Sequence, residues 1–214
     1  MKLEEGVIYP LFSTPLYHVN APECNNTVIN FDDIPYELFS SNEKQDNTIN
    51  SIEQNILALE EFSDIKQHVD AAMCEYVFGQ LKLPTNLDLK LVCSWMLIGF
   101  PGSKTNAHLH TNSMFSGIFY LKSEENAGDL IFSAEATALT YTSHVVKPIP
   151  TEFNLINSRS WTIKPKTKDI VIFPSHVLHE VTENLSGEIR CAIAFNYFMT
   201  GEISDMKTRK LYLQ

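Results

Sequence analysis

The chain has 214 residues, of which 44% are hydrophobic and 20% charged, enough apolar side chain for one packed core and too little for a membrane class. Its formal net charge of −10 disfavours nucleic acid as a partner, because phosphate binding needs a basic surface. Met1-Lys-Leu-Glu-Glu is no signal peptide, no apolar run approaches the ~18 residues of a membrane helix, and Cys24, Cys74, Cys93 and Cys191 lack CxxC spacing, so a cytoplasmic protein with reduced thiols and no membrane partner is expected.

Taken in chain order, Ile8 to Tyr17 is apolar with two prolines and reads as an edge strand or extended arm. Residues 20–50 are rich in Asn, Asp and Ser and read as loops. Phe62 to Leu81 predicts a helix: Ser63 can cap it, and Ile65, Val69, Met73, Tyr76, Val77 and Leu81 recur at helical spacing, as on a helix packed outside a sheet. After Leu81 the pattern changes to short runs rich in Val, Ile, Phe and Tyr: 89–100, 114–121, 129–133, 153–156, 160–163, 169–173, 179–182 and 190–199. Short strands without interleaved helices predict an all-β barrel or jelly roll. Ala134 to Pro150 has no clear period and is expected to be a loop over the barrel mouth. Trp95 and Trp161 are expected in the core, and His18, His68 and His144 in surface or structural roles.

Four of the seven histidines fall in two pairs, His108-Leu-His110 and His176-Val-Leu-His179. Two residues apart on an extended strand, His108 and His110 point to one face, the geometry of two ligands on one ion, and a later strand of a small barrel could bring His179 opposite. Imidazoles suit iron, zinc, copper or nickel better than calcium or magnesium. A lone His-x-His is weak support for a metal; here both pairs stand at strand ends, where a barrel mouth would be. Arg190 opens Arg-Cys-Ala-Ile-Ala-Phe-Asn-Tyr, whose alternation sets Arg190, Ala192, Ala194 and Asn196 on one face and Cys191, Ile193, Phe195 and Tyr197 on the other. The bulky set suits a core and the small, polar set a cavity, in which an arginine needs a carboxylate partner. The alternative is an arginine reaching solvent at a strand end.

Three segments together resemble the 2-oxoglutarate/iron(II) oxygenase superfamily: GFPGSKTNAHLHTNSMFSGIFYL (99–121), DIVIFPSHVLHEVTENLSGEIR (169–190) and AIAFNYF (192–198). The family pattern is His-x-Asp before a strand ending in Tyr-Leu, then a Phe-Pro-Ser turn, a distal histidine and an arginine about ten residues on. With PLFSTPLY (10–17), the His-x-His-x-Asn-Ser-x-x-Ser-Gly variant also resembles a small subgroup from bacteria and phages. The resemblance implies a mainly β, double-stranded β-helix of the jelly-roll/cupin kind: one domain with an N-terminal arm and supporting helices over 1–85, the barrel over 86–200 and a tail over 201–214. It implies iron(II) on His108, His110 and His179, with 2-oxoglutarate and O2 on the open positions. Arg190 and Tyr120 would hold the far carboxylate of 2-oxoglutarate. The reaction implied is decarboxylation to succinate and CO2 coupled to oxidation of a substrate carbon, usually hydroxylation, of an unidentified small molecule or peptide.

The sequence departs from the family twice. His110 stands where the family has Asp, leaving the site about one unit more positive; a second register makes His110 the first ligand and sets Asn112 in the Asp place, with His108 behind. The family's Arg-x-Ser is here Arg190-Cys-Ala, so a hydroxyl that helps hold the carboxylate is missing, and Asn196 or another side chain would replace it. His176 falls where relatives carry an aromatic. Two other readings stay open: a three-histidine cupin-type metalloenzyme without 2-oxoglutarate, which would have no need of Arg190, and a non-catalytic barrel.

Overall fold

The computed structural model describes residues 8, 13–25, 34–38, 48–134, 149–204 and 210–213. Its strands are β1 (Tyr17–Asn20), β2 (Tyr36–Leu38), β3 (Thr48–Ser51), β4 (Asp88–Gly99), β5 (Thr105–His108), β6 (Phe115–Lys122), β7 (Leu130–Ser133), β8 (Ser160–Ile163), β9 (Asp169–Pro174), β10 (Leu178–Val181), β11 (Arg190–Ser204) and β12 (Lys210–Leu213). They form two sheets. The larger runs β1-β9-β6-β11-β4-β3-β2, with β12 paired to β11; the smaller runs β5-β10-β7-β8. All these pairings are antiparallel. From β4 to β7 the chain alternates between the sheets, and it does so again from β8 to β11, which is the winding of a double-stranded β-helix. The fold class is therefore as expected.

The central strands carry a core on each face. On β11, Cys191, Ile193, Phe195 and Tyr197 join an outer apolar cluster with Ile65, Val69, Met73, Tyr76 and Val77. Ala192 joins a second cluster between the sheets, with Ile118, Tyr120, Leu130, Phe132, Val171 and Phe173. That period-2 split explains why β6 and β9 are buried almost throughout. The outer cluster is closed by α1 (Ser63–Cys74), which continues into a π-helical turn over Glu75–Gln80. Its buried residues Ile65, Val69, Ala72 and Met73 follow the expected stripe. Tyr197 donates a hydrogen bond to Asp70, tying β11 to this helix.

Several expectations are corrected. Ser63 does not cap the helix: Phe62 precedes it without a side-chain cap, because short 3-10 turns at Ile56–Ala58 and Glu60–Phe62 lead straight into it. Residues 20–50 contain β2 and most of β3, short strands that owe their conformation to pairing, β3 with β4 and β2 with β3. Residues 153–156 are no strand. Asn154 Oδ1 accepts hydrogen bonds from the Ile156 and Asn157 amides, local bonds that compete with a ladder. Trp161 is exposed on β8, the outer strand of the smaller sheet. The expected tail holds the end of β11 and β12. Of the expected arm, residues 9–12 lie outside the described residues, and β1 starts at Tyr17. Most of the expected mouth loop, residues 135–148 with His144, lies outside the described residues.

Candidate metal centre and adjoining cleft

The site is assembled by strand register. His179 on β10 pairs directly with His108, the last residue of β5, so both side chains project from one face of the smaller sheet. Beyond β5 the chain runs on through Leu109, which points outward, to His110, whose amide donates to Ser175 O at 2.9 Å. Ring centroids are 4.3 Å apart for His108 and His179, 5.1 Å for His110 and His179, and 5.4 Å for His108 and His110. One nitrogen from each ring lies within 4.8 Å of the other two.

The second nitrogen of each ring is engaged. Nδ1 of His108 is 2.8 Å from Asn106 O, Nδ1 of His179 is 2.9 Å from Val177 O, and Nδ1 of His110 is 2.7 Å from Asn196 Oδ1. Carbonyl oxygens only accept, so each Nδ1 carries a proton, which leaves Nε2 as the nitrogen with which each ring can ligate a metal. Burial drives the His179 pKa down to about 3, with the neighbouring His108 and His110 adding to the effect, and burial also lowers that of His110. Three imidazoles that bring one nitrogen each to a common point are a ligand set for a borderline divalent metal such as iron(II). Phe173 packs on His179 at 4.7 Å, and Trp95, expected in the core, stacks on His110 at 5.8 Å.

Asn196, expected as a possible cofactor ligand, stands behind His110 instead. Its Oδ1 also accepts from Ser116 Oγ at 2.6 Å, which in turn meets Ser175 Oγ at 2.8 Å. Asn112 is exposed, has φ +59°, and does not line the cleft; a left-handed turn accounts for an asparagine there. His176 is exposed. His18 bonds to Asp169 Oδ2 at 2.9 Å and His68 to Asp64 O at 2.8 Å, both structural contacts.

A cleft of about 580 Å³, open to solvent, adjoins the histidines and is lined mainly by Trp95, Leu97, Ile118, Val181, Ala192 and Ala194, with Tyr120 and Arg190. Arg190 is 6% exposed and donates once, from a terminal nitrogen to Ala127 O at 2.8 Å. No carboxylate lies within 4.0 Å of it among the described residues. Burial lowers its pKa, and Tyr120 opposes that shift. Two glycines make room for it: a Cβ at Gly128, where φ is +105°, would stand 2.5 Å from one terminal nitrogen, and a Cβ at Gly99 2.9 Å from the other. Three buried polar atoms lack a partner among the described residues: Tyr120 Oη, Ser103 Oγ and Asn50 Oδ1. An unpaired guanidinium with an unpaired phenol is what a site for a carboxylate presents before its ligand arrives, so the residues fit 2-oxoglutarate as well as iron(II).

Residues 93–196 match the family model described as "Putative 2OG-Fe(II) oxygenase". The barrel segment belongs to the 2-oxoglutarate/iron(II) oxygenases. Solved oxygenases share the fold. A prolyl hydroxylase from Trichoplax adhaerens, in complex with a hypoxia inducible factor peptide fragment, matches at TM-score 0.56 and 15% identity over 87% of this chain and 84% of its own. HygX from Streptomyces hygroscopicus, with nickel, 2-oxoglutarate and hygromycin B bound, matches at 0.53 and 11% over 86% and 83%. A 2OG-Fe(II) oxygenase family oxidoreductase from Burkholderia pseudomallei matches at 0.52 and 10% over 78% and 73%. No curated protein matches by sequence. The match to the oxygenase model thus covers 93–196, and no helix among the described residues is long and apolar enough to cross a membrane. Sequence reasoning missed Gly99, Gly128, Ser103 and Ser116. Only a glycine closing an otherwise apolar strand, as Gly99 does, gave any signal.

Proposed function

We propose that His108, His110 and His179 hold iron(II), that Arg190 and Tyr120 take the far carboxylate of 2-oxoglutarate, and that the enzyme hydroxylates a C–H bond of a small molecule or peptide in the cytoplasm. The observation that carries this reading is the pairing, in one cleft, of three imidazoles that share a common point with a guanidinium that has no carboxylate of its own among the described residues. Iron(II), when bound, supplies O2 activation coupled to the oxidation of 2-oxoglutarate to succinate and CO2. The chain's own residues do the rest. Arg190 fixes the co-substrate's orientation by charge and by its planar fork of donors. Tyr120 donates to the same carboxylate and, with its pKa raised by burial, keeps its proton at neutral pH. The apolar walls from Trp95, Leu97, Ile118 and Val181 keep water from the reacting carbon. Asn196 holds His110 in the tautomer that offers Nε2.

The absence of a carboxylate ligand leaves the cation's charge less neutralised than in a two-histidine, one-carboxylate site, so a dianionic co-substrate is held partly by charge. Solved likenesses bind molecules as different as a peptide fragment and hygromycin B, so the choice between small molecule and peptide rests on a screen. The cytoplasmic assignment draws on four free cysteines. The test is succinate release by purified protein with iron(II), 2-oxoglutarate and O2 over a substrate panel. The reading predicts slow uncoupled succinate formation that a true substrate accelerates. Iron-dependent O2 uptake without succinate would overturn it in favour of a three-histidine dioxygenase that does not use 2-oxoglutarate.

A further inference from the structure

The arginine of this cleft lacks the hydroxyl expected two positions after it, where Ala192 stands. Ser103 is placed to provide one. It is 0% exposed, and its backbone is fixed on both sides: the amide donates to Phe100 O at 2.9 Å and the carbonyl accepts from the Asn184 amide at 2.8 Å. Only Oγ has no partner. A buried hydroxyl left unsatisfied destabilises the fold, a cost that persists unless something else uses the group.

Its position identifies the user. Gly99 pairs directly with Arg190, so a Cβ built on Gly99 points to the same side of the sheet as the arginine, into the barrel. That point lies 2.6 Å from Ser103 Oγ and 2.9 Å from a terminal nitrogen of Arg190. The hydroxyl and the guanidinium therefore both pack against the bare Cα of Gly99, close to each other because residue 99 has no side chain. Tyr120 Oη, also buried and unpartnered, belongs to the same cleft as Arg190. Two hydroxyls and a guanidinium form a donor set with no acceptor among the described side chains. A carboxylate, with four lone-pair sites on two oxygens, accepts from all three.

We propose that Ser103 donates a hydrogen bond to the far carboxylate of 2-oxoglutarate, replacing the hydroxyl missing after Arg190; this rests on the reading of the cleft as a 2-oxoglutarate site. Ser103 thereby acts as a specificity residue that favours a five-carbon diacid over shorter 2-oxo acids. Its contact is with the end of the co-substrate away from the metal.

The test is calorimetric titration of the nickel(II)-loaded protein with 2-oxoglutarate and with 2-oxobutyrate, a 2-oxo acid without the far carboxylate. One hydrogen bond to a charged group corresponds to a loss of roughly 10- to 100-fold. Ser103→Ala is expected to weaken 2-oxoglutarate by that factor, to leave 2-oxobutyrate and nickel(II) affinity unchanged, and to leave the ligand-free melting temperature unchanged or higher, since it deletes an unsatisfied group. Ser103→Cys, with a weaker donor of similar shape, should fall between. Wild-type affinity for 2-oxoglutarate in Ser103→Ala would overturn the proposal, as would equal losses for both acids. A fall in the ligand-free melting temperature, or failure to fold, would overturn it too by showing the hydroxyl to be structural. If the wild-type protein binds no 2-oxoglutarate, the reading of the cleft fails and takes this proposal with it.

Discussion

At the scale of single residues, the metal site depends on side chains that never touch the metal. In the proposed ligation His110 takes the place of a carboxylate, and its orientation rests on Asn196, which is itself held by Ser116. Asn196→Ala removes the acceptor that fixes the ring. Nickel(II) affinity measured by competition with a chelator is expected to fall about 10- to 100-fold, the usual cost of losing a partner behind a ligand. Unchanged affinity would show that Asn196 does not act through His110. Gly128 offers a second test. At φ +105° and 2.5 Å from an Arg190 nitrogen, an alanine there is strained and displaces the guanidinium. Gly128→Ala should weaken 2-oxoglutarate binding in a titration while leaving nickel(II) binding intact. At this scale the inward direction of Arg190 was legible from the alternation along its strand, whereas the convergence of His108, His110 and His179 needed the register of distant strands. Asn196 was legible as a site residue but not in its role, and Asn112 attracted attention for a turn conformation that spacing alone does not reveal.

Elements were legible where a period was written into them. The alternation along β11 separates bulky from small residues, and the structure sends the bulky set to the helix layer and the small set inward. The two faces should therefore fail differently. Ile193→Ala leaves a cavity in the outer core and is expected to destabilise the protein by about 2–5 kcal/mol in urea unfolding, with co-substrate affinity retained in the folded fraction. Ala194→Leu should cost stability less, about 1–3 kcal/mol, but fill the cleft and abolish 2-oxoglutarate binding. The reverse pattern would mean the faces are assigned wrongly. β2 and β3 were not legible, since they become strands through pairing, β3 with β4 and β2 with β3, rather than by propensity. The same holds for Trp95 and Trp161: hydrophobicity alone does not say that one lies against His110 and the other on an outer strand.

For the whole molecule, the ligand-free protein carries its site as a liability. His179 is held neutral, its pKa driven to about 3 by burial, whereas in the unfolded chain it titrates near 6.5. The unfolded state then binds the extra proton between those values, so stability is fully present above about pH 6.5 and is lost as pH falls towards 3. Urea midpoints of the metal-free protein should decline over that window, and His179→Gln should flatten the decline; an unchanged slope would show that other groups set it. Metal and 2-oxoglutarate bind only the folded state and should raise the melting temperature together. The central claim is that three imidazoles place iron(II) within reach of a co-substrate held by Arg190. Its most direct test is anaerobic addition of iron(II) and 2-oxoglutarate, followed by visible absorption. The account predicts a weak charge-transfer band in the wild-type protein that is absent in His179→Ala and needs far more 2-oxoglutarate in Arg190→Ala. A wild-type protein that takes up iron(II) yet shows no band at saturating 2-oxoglutarate would contradict it.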